Sequence, residues 1–397
     1  MTPPEAGCAE EARLPRRDWI WLPILGLVTM CLLAGAVELR ARRRFDRIPT
    51  AGESCLAIND PSRGVRGIPN CVVWEKIPEG NLIQYRFNGS GYRNNADLGP
   101  KSPGTYRIVI VGTSIAAGFR VPQEQTIAAL LPAELSRRTG RKVEIYNEGL
   151  PLRPSSSIAR NFNEVLAADP DMILWIVSPL DISNPSLEVH RDPLEPLPQA
   201  GVWSFTKAVF AKESFNASMA TLFSHTRAAI FLKDLIYESP SRYVQSSLMG
   251  ADYNKDFLIS QSSVKWNREL KEFDSSAANI EGEARKAGIP LVATLVPDRT
   301  QAAMISMMGE CPKGFDPYKL GNDLRSIIVS HGGTYIDILP DFRTVPNPQL
   351  GYLALDGHPN AYGHAMIAGF LSSKLAGVMV PAFSAGAHPQ AGLRARP

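Results

Sequence analysis

From Arg107 onward the chain repeats one pattern: a short apolar run, a longer amphipathic stretch, then another apolar run. The runs are Arg107–Val111, Val143–Tyr146, Met172–Val177, Pro290–Val296 and Thr334–Ile338. They are apolar at nearly every position, which is how a strand reads when it is buried on both faces, and helices between such strands make the sheet parallel. The intervening stretches predict helices at about Glu124–Arg138, Ser155–Ala168, Val264–Lys286, Asp316–Ser330 and Ala361–Leu375, the last with Met366, Ile367, Phe370 and Leu371 facing a core. Five such strands predict an α/β fold, a flavodoxin-like three-layer α/β/α sandwich over residues 105–380, interrupted by an insertion at about 184–262.

What precedes the sandwich differs in kind. After a tail of residues 1–18, residues 19–37, "WIWLPILGLVTMCLLAGAV", carry no charge between Asp18 and Glu38. As a helix this segment is roughly 28 Å long, against a hydrocarbon core of ~30 Å, so it reads as a single membrane-spanning helix. A cleaved signal peptide is the alternative, since Ala34-Gly35-Ala36 has the small residues of a cleavage site. Arg40, Arg42, Arg43, Arg44 and Arg47 follow directly, which argues for an anchor and, against Arg13, Arg16 and Arg17 on the other side, for a cytoplasmic domain.

The cysteines point the other way. Cys8, Cys31 and Cys311 stand apart, but Cys55 and Cys71 bracket "CLAINDPSRGVRGIPNC". A disulfide closing that loop restricts the unfolded chain by ~3 kcal/mol and belongs outside the reducing cytoplasm, whereas two free buried thiols would carry no such implication. The combined expectation is a single-pass protein of the cell inner membrane with a periplasmic or otherwise extracytoplasmic domain. Residues 38–104 read as a basic neck and a lead-in without long helices, given Pro61, Pro69, Pro78, Pro100 and Pro103, and residues 381–397 as a disordered tail. The net charge is only +3 and the arginines cluster beside the apolar segment, so nucleic acid is not an expected partner. No cysteine or histidine spacing suggests a metal.

The first strand runs into Gly112-Thr113-Ser114. A Walker loop needs Gly-Lys after four residues, a dinucleotide loop needs Gly where Ser114 stands, and a hydrolase elbow needs Gly where Ala116 stands. None of these fits, which leaves a serine just past a strand end, a position that N-caps also occupy. Near the other end, "LALDGHPNAYGHAMIAGFL" sets Asp356 and His358 two residues apart before a helix. A carboxylate that fixes an imidazole, presented to a serine from a neighbouring strand, is the constellation of nucleophilic acyl transfer.

These blocks, in this order, resemble the SGNH, or GDSL-like, hydrolases across about residues 104–378. Gly112-Thr113-Ser114 resembles the first block and implies the nucleophile Ser114. Asp356-Gly357-His358 resembles the last block and implies acid and base. Gly149 in "YNEGLP" is similar to the second-block glycine, whose N–H would join that of Ser114 in an oxyanion hole. "YRFNGSGYRN" looks like the segment before the first block in envelope-associated members. The third block departs: in Ser178-Pro179-Leu180-Asp181, Leu180 holds the place of the oxyanion asparagine, with Asn184 as a candidate substitute.

The resemblance implies an esterase or O-acyltransferase that needs no cofactor and acts on an acylated small molecule, glycan or lipid. Within the insertion, Phe210, Phe215, Leu222, Phe223, Phe231, Leu232 and Leu235 recur at near-helical spacing, as packing helices or as an apolar cap over Ser114, and His190 and His225 there read as surface residues. Two other function classes stay open: a glycan-binding or scaffold protein with a decayed site, and a nucleotide-binding module.

Overall fold

A computed structural model describes residues 17–44, 52–60, 64–77, 79–183, 227–228, 237–249, 255–307, 311–354 and 356–385. The chain divides into two compact units, Met1–Phe45 with Ala200–Leu232, and Asp46–Gln199 with Lys233–Pro397. The first contains helix α1 (Asp18–Arg44), which continues past Val37 into the arginine cluster. Arginine, leucine and alanine are good helix formers, and Glu38 pairs with Arg42 one turn on at 2.8 Å. Its Trp19–Arg43 stretch, which includes an unburied 18-residue window of mean hydropathy 2.2, is long and apolar enough to cross a membrane.

The second unit begins with two antiparallel hairpins, β1 (Leu56–Asp60) with β2 (Gly64–Gly67) and β3 (Val72–Glu75) with β4 (Ile83–Arg86). These short paired strands were not expected in the lead-in. Strands of four and five residues between Pro and Gly turns are too short to show a clear two-residue period in sequence. In β3–β4 the inward face carries Glu75 beside Ile83 and Val73 beside Tyr85. A disulfide joins Cys55 to Cys71 across 5.6 Å between Cα atoms, tying the start of β1 to the start of β3.

The main sheet follows: β5 (Thr105–Gly112), β6 (Lys142–Asn147), β7 (Met172–Val177), β8 (Leu291–Leu295) and β9 (Thr334–Ile336), all parallel, in the order β6-β5-β7-β8-β9. Every residue of β5, β7 and β8 is buried, as their unbroken apolar runs require. The helices in chain order are α2 (Ser114–Ala117), α3 (Ile127–Thr139), α4 (Ser155–Arg160), α5 (Phe162–Ala167), α6 (Pro179–Ser183), α7 (Pro240–Met249), α8 (Val264–Lys286), α9 (Arg299–Ser306), α10 (Lys319–Ser330) and α11 (Ala361–Ala385). Helices α3 and α11 pack together, and α8 packs with α4 and α10, giving the three layers of a flavodoxin-like sandwich. The chain leaves β5 towards β6 and returns to β7 on the other side of β5, so a topological switch opens at the carboxyl ends of β5 and β7.

Local side-chain bonds explain where elements differ from expectation. The helix expected over Ser155–Ala168 breaks at Asn161 (φ −109°, ψ 26°), whose side-chain amide donates to Ser157 O at 3.0 Å alongside its own backbone N–H at 3.2 Å. Helix α10 starts at Lys319 rather than Asp316, because Asp316 Oδ1 accepts the Tyr318 N–H at 2.8 Å in a turn. Helices α7 and α9 were not expected; Asp298 caps α9 by accepting from Gln301 N at 2.7 Å. Helix α11 reaches Ala385, into the span expected to be disordered, and residues 386–397 lie outside the described residues. The apolar insertion residues from Phe210 to Leu235, Asn184, His190 and His225 also lie outside them.

Candidate active site

Strand β5 delivers Ser114 through a backbone that only glycine fits. Gly112 has φ +145°, and a Cβ there would lie 2.3 Å from Ile176 O on β7 and 2.9 Å from the Ala116 side chain. The chain turns at Thr113, and Ser114 opens α2, a four-residue helix that ends at Gly118 in the left-handed region (φ +68°). Partly buried at the switch point, Ser114 has its N–H in the first turn, where no intrahelical acceptor exists.

The loop before α11 brings the other two expected residues to it across 244 positions of sequence. His358 Nε2 lies 2.8 Å from Ser114 Oγ, and His358 Nδ1 lies 2.5 Å from Asp356 Oδ1. Gly357 takes φ +83° between them, and the loop is closed by Leu353 N donating to His358 O at 2.8 Å and Gly357 N to Leu353 O at 3.1 Å. The carboxylate at Nδ1 assigns the ring proton to that nitrogen, leaving Nε2 to accept from the serine hydroxyl. Burial works to raise the Asp356 pKa, but the His358 hydrogen bond and the charges of His358 and Arg120 outweigh it and hold the carboxyl at about 2. The Phe119 ring meets the imidazole edge-on, 5.5 Å between centroids.

Four residues around this trio were not singled out in the sequence. Arg120 Nε donates to Asp356 Oδ2 at 3.0 Å and its Nη1 donates to Glu75 Oε1, while its backbone N–H, at φ +70°, donates to Tyr85 Oη at 2.9 Å. Glu79 Oε1 accepts the Asp356 N–H at 2.6 Å. Three of the four come from the β3–β4 hairpin and its turn, so the lead-in forms one wall behind the carboxylate. No local pattern marks them, since the contacts span 45 residues for Glu75–Arg120 and 236 for Arg120–Asp356.

The segments after β6 and β7 hold further bonds around Ser114. Gly149 N–H, expected to face an oxyanion, donates instead to Asn147 Oδ1 at 2.9 Å. The glycine is demanded by packing: a Cβ would lie 2.5 Å from Ala117 N and 2.7 Å from Ala116 C, against the backbone of α2. Asn147 also donates to Ala116 O at 2.9 Å, so the loop after β6 braces the serine helix. In the third block, Leu180 is 56% exposed and offers no donor, whereas Asp181 is buried. Asp181 Oδ2 accepts from Thr113 Oγ1 at 3.0 Å, Ser178 N at 2.8 Å and Ser178 Oγ at 2.5 Å, which locks the turn beside Ser114. Burial raises its pKa to about 6 against those hydrogen bonds. Among the described residues no group of three His, Cys, Asp or Glu side chains is placed to hold a metal ion.

No family model and no curated protein matches the chain. Among solved structures it is similar to a lipase/acylhydrolase from Enterococcus faecalis, at 14% identity and TM-score 0.35, covering 69% of this chain and 96% of that one. It is also similar to the psychrotrophic esterase EstA from Pseudoalteromonas sp., at 10% identity and TM-score 0.33, covering 69% and 98%. A third likeness, to the acetyl xylan esterase AlAXEase, has 15% identity and TM-score 0.37 and covers 68% and 99%. Identities this low transfer no residue roles to this chain.

Proposed function

We propose that the protein is a serine-dependent ester hydrolase or O-acyltransferase of the SGNH type. The observation that carries this reading is the continuous relay Ser114 Oγ–His358 Nε2 and His358 Nδ1–Asp356 Oδ1, at 2.8 and 2.5 Å. Ser114 attacks an ester carbonyl while His358 takes its proton, and Asp356 holds the tautomer and the imidazolium that forms. The alcohol leaves with the proton from His358, and water or a glycan hydroxyl then takes the acyl group by the reverse sequence. The Ser114 N–H receives the developing oxyanion charge, and the Gly149 N–H joins it only by exchanging its bond to Asn147. The substrate is an acylated glycan, lipid or smaller ester. The apolar α1 anchors the domain at the inner membrane, with the Cys55–Cys71 disulfide supporting a periplasmic side.

The exposed Leu180 favours a second reading, a binding protein whose site has lost turnover. Fluorophosphonate labelling of the full-length protein in detergent, with hydrolysis of a short p-nitrophenyl ester, separates the two. Label on Ser114 with turnover is expected. Folded protein that neither labels nor turns over, beside an esterase that does both, supports the binding reading.

A further inference from the structure

We infer that Glu75 on the lead-in hairpin and Arg120 act as a positioning pair that orients the Asp356 carboxylate and balances its charge, and through it sets the pH dependence of acyl transfer. The inference rests on the acyl-transfer reading above. It makes the segment before the sandwich a working part of the site.

The geometry is a line of alternating charge. The Glu75 carboxylate meets one arm of the Arg120 guanidinium, and another nitrogen of the same group meets Asp356 Oδ2 at 3.0 Å. Asp356 Oδ1 then meets His358 Nδ1. The side chains of Glu75, Arg120, Asp356 and His358 are 6%, 13%, 18% and 18% exposed, so these charges act on one another with little solvent between them.

Stability alone does not explain the pair. A buried ion pair contributes little net stability compared with apolar packing. This one also leaves Glu75 Oε2 buried with no hydrogen-bond partner among the described residues, and Arg120 lies in the left-handed region. The guanidinium does have a consequence for the triad. It binds the aspartate oxygen that His358 does not use, fixing the plane of the carboxylate and offsetting part of the negative charge felt by the imidazole. Glu75 in turn offsets Arg120.

Among the described residues, these other groups face this line. Tyr85 Oη accepts the Arg120 N–H, and burial raises its pKa beyond the working range. Glu79 accepts the Asp356 N–H. Arg93 bonds Gly118 O and Val121 O on either side of Phe119 and Arg120. Burial lowers the pKa of His364, which is in electrostatic reach of His358, to about 3, so it stays neutral.

The test is the acidic limb of the kcat/KM profile of the full-length protein on a p-nitrophenyl ester, for wild type, Glu75→Gln, Arg120→Gln and the double variant. Glu75→Gln leaves an uncompensated cation near His358 and disfavours the imidazolium, so the limb moves to lower pH, by roughly one unit. Arg120→Gln removes the cation, so the limb moves to higher pH. The double variant restores the net charge and returns the limb close to that of wild type. A purely structural pair would lower rates without opposite displacements. An unmoved limb in Glu75→Gln, the near-isosteric change, with fluorophosphonate labelling retained, overturns the proposal even if Arg120→Gln fails to fold. Single variants that shift the limb the same way overturn it too. A wild type that neither labels nor turns over overturns the acyl-transfer reading and this proposal with it.

Discussion

Replacing Ser114 or His358 by alanine tests the site at the level of single side chains. A serine hydroxyl is a weak nucleophile without its base, and a base without the hydroxyl transfers no acyl group, so each change is expected to cost about 10⁴–10⁶-fold in kcat. Leu180→Asn is expected to raise kcat by up to ~10²–10³-fold if the amide reaches the oxyanion, read as ester hydrolysis against wild type. An unchanged rate there would mean another donor already serves. Ser114, Asp356 and His358 were legible in sequence because they sit in two short blocks, Ser114 at a strand end and the other two together in a loop before a helix. Arg120, Glu75, Tyr85 and Glu79 were not. Each lies far in sequence from the partner it serves, and nothing beside an arginine after Gly-Phe marks it as aimed at Asp356.

Whole elements carry the next constraints. The loop after β6 touches the backbone of α2, so Gly149→Ala is expected to destabilise by about 1–3 kcal/mol through overpacking and to displace Ser114. Thermal unfolding reports the first effect and loss of fluorophosphonate labelling the second. The disulfide pins β3, which carries Glu75, so Cys55→Ser with Cys71→Ser is expected to lower unfolding free energy by ~3 kcal/mol in urea titrations. Recovery of both thiols alkylated from protein isolated without reductant would remove the support for an oxidising compartment. The central strands were legible because burial on both faces leaves an unbroken apolar run. The hairpins were missed because four residues cannot display a period, and the helix break because the non-helical backbone of Asn161 leaves no mark in the apolar pattern.

Across the molecule, the unit Asp46–Gln199 with Lys233–Pro397 holds the sheet, both helical layers and Ser114, Asp356 and His358. Removing residues 1–47 is therefore expected to leave a folded domain that purifies without detergent, checked by sedimentation and circular dichroism. A truncated protein that still needs detergent would assign membrane contact to the insertion. Stability should also depend on pH through His364, fully buried, with its Nδ1 accepting the Ile127 N–H at the start of α3. Its pKa is lowered from 6.5 to about 3, so the unfolded chain binds the proton first as pH falls. The stabilisation is present above pH 6.5 and is lost at up to ~1.4 kcal/mol per pH unit on acidification towards the folded pKa. His364→Asn keeps an acceptor for Ile127 and is expected to flatten that slope in urea titrations between about pH 5 and 6.5.

Sequence alone determined the sandwich, the apolar α1 and the three residues of the relay, because burial period, segment length and short blocks are all written locally along the chain. The tertiary structure alone decided the partner of each remaining group. It gave the Gly149 amide to Asn147, set Asp181 against Thr113, and placed the lead-in hairpin behind Asp356. Those outcomes depend on which backbones approach within van der Waals distance after the sheet has formed, and such proximity across tens to hundreds of residues leaves no periodic trace in the chain.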